Sequence, residues 1–447
     1  MRLFFVSLGC DKNLVDSEKM LALLSARGIE ITDDPSQAEI IIVNTCGFIG
    51  DAKEESIETI LEMAEYKKTG KCLSLIASGC LAQRYADDIL EEMEEVDAVV
   101  GTTAYDQIVR VVDETLEKHR VKRMQELNYL PEHLTDRLGT TVGSHYSYLK
   151  IAEGCSKRCT YCIIPHLRGN YRSVPMEEIL EEARKLADRG VKELIVIAQE
   201  TTVYGLDLYG QKKLPELLTK LCEIPDIQWV RIMYCYPEEI TDDLLETMAK
   251  EPKICHYLDL PIQHCNDELL CKMGRKTTKA DLLDIIGRIR SYMPDVALRT
   301  TLISGFPGET EEMHQECLEF VREVSLDRLG VFPYSPEEGT PAFAYEDQLE
   351  EEQKRQYADE IMEASQYVIF EKNDQMIGKK IQVIVDGYLP EEGVYVGRSY
   401  RDAPEVDGCV FFEYDGEIVS GTLLWLKITD AQGYDLIGVV AYEEDDY

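Results

Sequence analysis

The sequence predicts an α/β protein in three parts: a doubly wound N-terminal domain, a partial (β/α)6 barrel and a small C-terminal antiparallel β-barrel. Three observations predict it. Short apolar runs alternate with amphipathic stretches over residues 1–120, the pattern of strands and helices in an open parallel sheet. The alternation resumes as six β/α repeats over residues 141–372, a partial version of the eight-fold barrel. Over residues 375–447, alternating runs punctuated by glycines take over, as in a small barrel of about five strands. A chain of 447 residues also exceeds what one core usually supports.

In the first domain, residues 3–8, 39–43, 73–77 and 98–100 read as strands and 16–26, 53–66, 82–93 and 105–118 as helices. Doubly wound sheets bind ligands at the carboxyl ends of their strands. Cys10, Cys46 and Cys80 follow the first three strands, each beside a glycine (Gly9, Gly47, Gly79), so three turns of one sheet edge can converge. Cys72 precedes its strand and belongs at the opposite end. Cys222, Cys235, Cys255, Cys271, Cys317 and Cys409 have no partner at metal spacing and read as small apolar residues.

A polar connector, residues 120–144, leads to strand-like runs at 146–152, 193–198, 229–233, 257–260, 297–303 and 328–333, separated by helical patterns such as 175–188 and 310–324. Residues 348–373 read as a long charged helix. The terminal module alternates at 380–386, 409–414, 423–428 and 435–440, and the acidic run Glu443 to Asp446 is expected to be disordered.

Cys155, Cys159 and Cys162, spaced C-x-x-x-C-x-x-C, fall just after the first barrel strand, where a barrel puts reactive groups. With Cys10, Cys46 and Cys80 they make two triplets of soft ligands. A 4Fe-4S cluster on three thiolates keeps one iron open, whereas structural zinc closes all four positions. Two triplets therefore point to two reactive clusters. His166 leaves a Cys3His zinc reading open, against which stands the habit of zinc knuckles to split their ligands into two separated pairs.

The net charge is -38, from 47 basic and 85 acidic residues. Such a field repels phosphate backbones and favours cationic partners, although solubilising surface charge accounts for part of it. The apolar opening is too short for a signal peptide and no run reaches membrane-spanning length. The expectation is a cytoplasmic protein without a membrane partner, its 14 cysteines reduced or metal-bound.

The segment Gly154-Cys155-Ser156-Lys157-Arg158-Cys159-Thr160-Tyr161-Cys162, with an aromatic before the third cysteine, resembles the radical S-adenosylmethionine (SAM) superfamily. In its three-part order the whole chain resembles the methylthiotransferase family. The first domain carries that resemblance in Ser7-Leu8-Gly9-Cys10-Asp11-Lys12-Asn13-Leu14-Val15-Asp16-Ser17-Glu18, Val43-Asn44-Thr45-Cys46-Gly47-Phe48-Ile49 and Ser78-Gly79-Cys80-Leu81-Ala82-Gln83. The resemblance implies a SAM-chelating 4Fe-4S cluster on Cys155, Cys159 and Cys162, an auxiliary 4Fe-4S cluster on Cys10, Cys46 and Cys80, and a C-terminal TRAM domain.

The family modifies either an adenosine of tRNA or an aspartate of the small-subunit ribosomal protein S twelve. Lys12 to Ser17, Gln199 to Gly205, Leu260 to His264 and Tyr334 to Thr340 resemble the ribosomal-protein branch. The tRNA branch would show glutamine and methionine-asparagine after the first cysteine, and Gly-Gln-Asn in place of Ala198-Gln199-Glu200. From Met376 onward there are 5 basic and 15 acidic residues, a net of -10. An RNA-binding surface needs clustered cations, so this module suits a basic protein and makes tRNA the weaker partner. As a docking surface alone, residues 376–447 could be deleted with more harm to product formation than to SAM cleavage.

The resemblance implies a mechanism in which a donor such as flavodoxin or ferredoxin supplies an electron that cleaves SAM to methionine and a 5'-deoxyadenosyl radical. The radical takes hydrogen from the aspartate β-carbon, which collects a methylthio group assembled at the auxiliary cluster from a sulfur source and a second SAM. No side chain acts as acid or base, since that C–H is not acidic and the cofactors carry the hard chemistry. Glu200 is expected to meet the SAM ammonium, Arg299 and Gly305 to lie by adenosine or methionine, and Tyr161 to approach adenine or shield the cluster. Arg168 and Arg172 could clamp a carboxylate or be solvated, and His264 is expected at the mouth. The alternatives are a tRNA adenosine methylthiotransferase and a non-catalytic, zinc-containing ribosome- or RNA-binding protein.

Overall fold

The computed structural model describes residues 1–131, 136–139 and 144–441; the acidic run Glu443 to Asp446 lies outside them. The first domain is a six-stranded parallel sheet of β1 (Arg2–Ser7), β2 (Glu30–Ile31), β3 (Ile40–Thr45), β4 (Ser74–Ser78), β5 (Ala98–Val100) and β6 (Val121–Arg123), in the order β2-β1-β3-β4-β5-β6. Its strands alternate between two cores. Leu3, Ile40, Ile42 and Ile76 pack with Met20, Leu24 and Ile108 on one face, and Ile41, Val43, Leu75 and Ala77 with Ile60, Met63 and Leu81 on the other. Helices on both faces keep β3 and β4 fully buried. The edge strands β2 and β6 are too short to stand out from polar surroundings in the sequence.

In the second domain the run at 146–152 divides. β7 (Tyr146–Lys150) stays in the sheet, while β8 (Ala152–Glu153) turns aside to pair with β9 (Arg172–Ser173). With β10 (Glu193–Ile197), β11 (Trp229–Ile232), β12 (Ile254–Asp259), β13 (Ala297–Ser304) and β14 (Arg328–Pro333), β7 makes an open parallel sheet ordered β14-β13-β12-β11-β10-β7. The outward side chains, among them Leu149, Val196, Ile232 and Leu258, pack on the surrounding helices. The inward set, Tyr148, Ile195, Ile197, Trp229, Met233 and Tyr257, is completed by Leu14 and Val15 of the first domain and Ala403 of the third. An open barrel thus borrows its interior from both neighbours.

The third domain is a closed barrel of β15 (Lys380–Leu389), β16 (Val394–Ser399), β17 (Val410–Glu413), β18 (Leu423–Gln432) and β19 (Asp435–Val440), ordered β15-β16-β17-β19-β18. It is antiparallel except for β17 against β19. Its segment 398–407 seats against the amino-terminal part of the open barrel. Arg398 Nη1 meets Glu193 Oε2 at 2.7 Å, Arg231 donates to the Tyr400 carbonyl at 2.6 Å, the Tyr257 hydroxyl donates to Asp407 at 2.7 Å, and Arg328 pairs with Asp402. The module is a plug as well as an appendage.

Candidate functional site

The carboxyl ends of both sheets face each other. Cys10 caps the helix Asp11–Ala26, whose Leu14 and Val15 enter the barrel interior, so it is carried to the barrel mouth. There Tyr234, just past β11, donates to Asp11 Oδ1 at 3.3 Å and receives Lys12 over its ring. On the far side of the mouth, Glu337 accepts from Arg84 at 2.5 Å and Lys53 at 2.9 Å, Arg84 also donates to the Glu338 carbonyl at 2.7 Å, and Ser335 Oγ accepts from Gly50 N at 3.3 Å. The run Tyr334 to Thr340 therefore clamps the first domain over the barrel.

The turns bearing Cys10, Cys46 and Cys80 lie in contact. A Cβ on Gly9 would stand 2.9 Å from Cys46 Cβ and 3.1 Å from its sulfur; one on Gly47 would stand 2.8 Å from Leu81 N and 3.0 Å from the Cys80 carbonyl carbon. Gly9 also has a φ of +84°, a conformation that costs an L-residue about 1–2 kcal/mol. Gly9→Ala should lower the iron retained by Cys10, Cys46 and Cys80 while the barrel still folds; undiminished iron and sulfide content would refute this. Cys46 and Cys80 are buried and Cys10 exposed, so the triplet opens toward the mouth on one side.

Cys155 and Cys159 are buried and Cys162 partly so. The loop between β8 and β9 holds them, with Cys155 N donating to the Gly169 carbonyl at 3.1 Å and Cys162 N to that of Cys159 at 3.1 Å. Burial pushes the Cys155 thiol up to about 11 and the Cys80 thiol up to about 12. Ligation must expel those protons, as it does in thiolate metal sites. Among the described residues, no group of three His, Cys, Asp or Glu is arranged to hold a single metal ion. A three-thiolate donor set fits an iron–sulfur cluster, whose ligands are spread over several irons, and each triplet has a polar neighbour, Asn13 Oδ1 3.7 Å from the Cys80 sulfur and the Tyr236 hydroxyl 3.7 Å from the Cys159 sulfur.

Around the second triplet, Tyr161 packs beside Met273 and Phe306. Glu200 is 2% exposed, accepts from Thr202 Oγ1 at 2.7 Å and faces Lys157 at 3.8 Å. Burial pushes its carboxyl up to about 7 against the pull of Lys157. Arg299 is the third residue of β13, not its end, and is engaged by Asp259 at 2.9 Å and Asp407 at 3.6 Å. The space that a Cβ on Gly305 would fill is held by Lys354 of the helix Glu351–Asp374, with Cγ 2.3 Å away. The close approach at Gly305 is thus of protein to protein. His264, expected at the mouth, is fully buried, 3.4 Å from Glu309. Arg172 bonds the carbonyls of Asn170 and Arg168, and Cys72 lies buried before β4.

Sequence reasoning missed a buried ionic cluster joining the first domain to the barrel. Asp16, Glu18 and Lys19 of the first helix meet Lys150, Glu153, Arg168, Glu182 and Arg137, with Arg168–Asp16 at 2.7 Å, Lys150–Glu153 at 2.8 Å and Arg137–Glu182 at 2.8 Å. Although burial works the other way, Lys150 and Arg168 hold the Glu153 carboxyl well below the usual carboxylate range. The one signal in the sequence was the charge on a helix with no polar face to spare.

Family models match along the chain: the uncharacterized protein family UPF0004 over residues 2–101, the radical SAM superfamily over residues 149–321 and the TRAM domain over residues 377–441. A curated relative, the ribosomal protein uS12 methylthiotransferase RimO of Lachnoclostridium phytofermentans, is 57% identical over 438 residues, covering 98% of this chain and 99% of its own. The protein of the same name from Clostridioides difficile is 47% identical over 443 residues, 99% of each chain. Among solved structures, the radical SAM methyltransferase TsrM from Kitasatospora setae, with cobalamin and a 4Fe-4S cluster bound, aligns over 76% of each chain with TM-score 0.55 at 14% identity, a likeness of fold. The chain shares the α/β architecture, the radical SAM core and the closed terminal barrel expected of it.

Proposed function

Because the chain belongs to the family of ribosomal protein uS12 methylthiotransferases, we propose that it adds a methylthio group to the β-carbon of an aspartate in uS12. It is a radical SAM transferase and uses an iron–sulfur cluster with SAM. In this reading Cys155, Cys159 and Cys162 hold the SAM-binding 4Fe-4S cluster, and Cys10, Cys46 and Cys80 hold a second. When bound, these groups supply reductive SAM cleavage and a seat for the sulfur to be transferred. The electron comes from a flavodoxin- or ferredoxin-like donor and the sulfur from a separate source.

The observation that carries the reading is the clamp that sets one triplet over the other: Leu14 and Val15 inside the barrel on one side, Glu337 holding Arg84 and Lys53 on the other. It leaves the chain's own residues the tasks of position and exclusion. Glu200 offers a carboxylate for the SAM ammonium, and Tyr161, between Cys159 and Cys162, packs on the apolar cluster of Met273 and Phe306. Arg299, held by Asp259 and Asp407, and Gly305, packed against Lys354, are committed to contacts within the protein. No described helix is long and apolar enough to cross a membrane.

Glu200→Gln should raise the KM for SAM by about tenfold or more, the effect of one lost charge-assisted contact, with unchanged thermal stability; an unaltered KM would remove Glu200 from the SAM site. The substrate is tested by intact-mass analysis of ribosomal proteins, with nucleoside analysis of tRNA, from cells with and without this gene. Loss of the methylthio increment from uS12 in the deletion strain supports the proposal; loss from tRNA nucleosides alone would replace uS12 with tRNA adenosine. Zinc without acid-labile sulfide in anaerobically purified protein would favour the non-catalytic reading.

A further inference from the structure

The segment that follows Cys162 touches both triplets. Its Gly169 carbonyl accepts from Cys155 N at 3.1 Å, while Ile163 and Leu167 pack on Cys80. Arg168 lies between these contacts and is 2% exposed. Its Nη1 donates to Asp16 Oδ2 at 2.7 Å and to Glu153 Oε2 at 3.2 Å, and its Nη2 donates to Asn13 Oδ1. This rules out the clamp for a free carboxylate that the sequence allowed, because Asp16 and Glu153 already hold Nη1 and balance the charge.

Asn13 is oriented by its own amide, which donates to the Leu8 carbonyl at 3.2 Å and the Thr45 carbonyl at 3.0 Å. Its Oδ1 consequently faces Arg168 and the Cys80 sulfur, 3.7 Å away. As a protonated thiol Cys80 can donate to that oxygen. As a metal-bound thiolate it has no hydrogen to give, and Arg168, whose Nη2 meets the same Asn13 oxygen, is a donor at hand.

We infer that Arg168 is a positioning residue for the second cluster: reaching across from the barrel, its guanidinium hydrogen-bonds the Cys80 sulfur and raises the reduction potential of the centre held by Cys10, Cys46 and Cys80. Hydrogen bonds to ligand sulfurs and nearby positive charge withdraw electron density and move such potentials upward. The inference rests on those three cysteines being cluster ligands. It adds that the SAM-loop side of the molecule sets the electronic state of the other site.

The test uses the full chain with Cys155, Cys159 and Cys162 all changed to Ala, reconstituted anaerobically with iron and sulfide, so that one cluster remains to be titrated by electron paramagnetic resonance. Arg168→Met in that background should lower the midpoint potential, and Arg168→Lys, which keeps the charge but not the planar fork, should lower it less. Lys150→Met removes another cation from the Asp16–Glu153 pair without touching Cys80 and should leave the potential near the parent value. If Arg168→Met fails to fold, Arg168→Lys still reads the lost hydrogen bond. An unmoved potential in iron-replete Arg168 variants, or an equal fall in Lys150→Met, overturns the inference. Absence of iron and sulfide from the triple-alanine parent overturns instead the assignment of Cys10, Cys46 and Cys80.

Discussion

With Cys159→Ala, production of 5'-deoxyadenosine from SAM should fall to the level seen without enzyme, whereas Cys46→Ala should retain that production and lose methylthiolated uS12. The two losses differ because the triplets sit on separate scaffolds. Cys159 belongs to the loop between β8 and β9 of the barrel, and Cys46 to the turn after β3 in the first sheet. Removing one thiolate from a three-thiolate site leaves a bound cluster without the ligand set that keeps a single iron open. The residual deoxyadenosine in Cys46→Ala should be accompanied by about half the iron of the parent, roughly four rather than eight atoms per chain. Full product from Cys46→Ala over many turnovers would mean that the first domain has no part in sulfur transfer, and both the two-cluster assignment and the role of Arg168 would fall with it.

The legibility of this fold followed the range of the interactions that build it. β5, β14 and β19 coincide with runs visible in the sequence at 98–100, 328–333 and 435–440, because apolar runs bounded by turn residues are a local signal. The first helix begins at Asp11, well before the apolar periodicity at 16–26 becomes readable. Its opening turns are polar yet buried, as Lys12, Asn13, Asp16, Ser17, Glu18 and Lys19 all are. Their partners, among them Arg137, Lys150 and Arg168, lie more than a hundred residues away. A periodicity rule reads such residues as solvated and starts the helix late. The same blindness made Arg299 a candidate for SAM, since its contact with Asp407 crosses from barrel to terminal module. Cysteine spacing, by contrast, is a local signal: it proposed the six thiols without any long-range knowledge, and Cys46, Cys80 and Cys155 each lie within two residues of a strand end.

The terminal module holds two kinds of acid, and they should respond oppositely to mutation. Glu413, Asp415 and Glu417 are exposed, so their joint conversion to Gln should leave SAM cleavage and stability intact while weakening association with the basic uS12 and flattening its salt dependence. Asp402 is buried against Arg328 and beside Arg401. Asp402→Ala strands those cations, and breaking one member of a buried pair costs about 3–5 kcal/mol, a large share of the roughly 5–15 kcal/mol that holds a protein folded. Thermal unfolding should shift down sharply and SAM cleavage should decline with it. Deleting residues 376–447 is therefore no clean test of docking: it removes the plug as well as the surface, exposing Trp229 and Tyr257 inside the barrel. Acidification should mimic the Asp402 variant. Burial alone would raise its pKa, but Arg328 and Arg401 hold the carboxyl below its ordinary 3.8, so this stabilisation is present above that value and is lost as pH falls through the lower folded-state value. If Asp402→Ala unfolded at the parent temperature and cleaved SAM normally, the module would be the separable appendage that composition alone suggested, and the exposed acids would lose their contrast with the buried one.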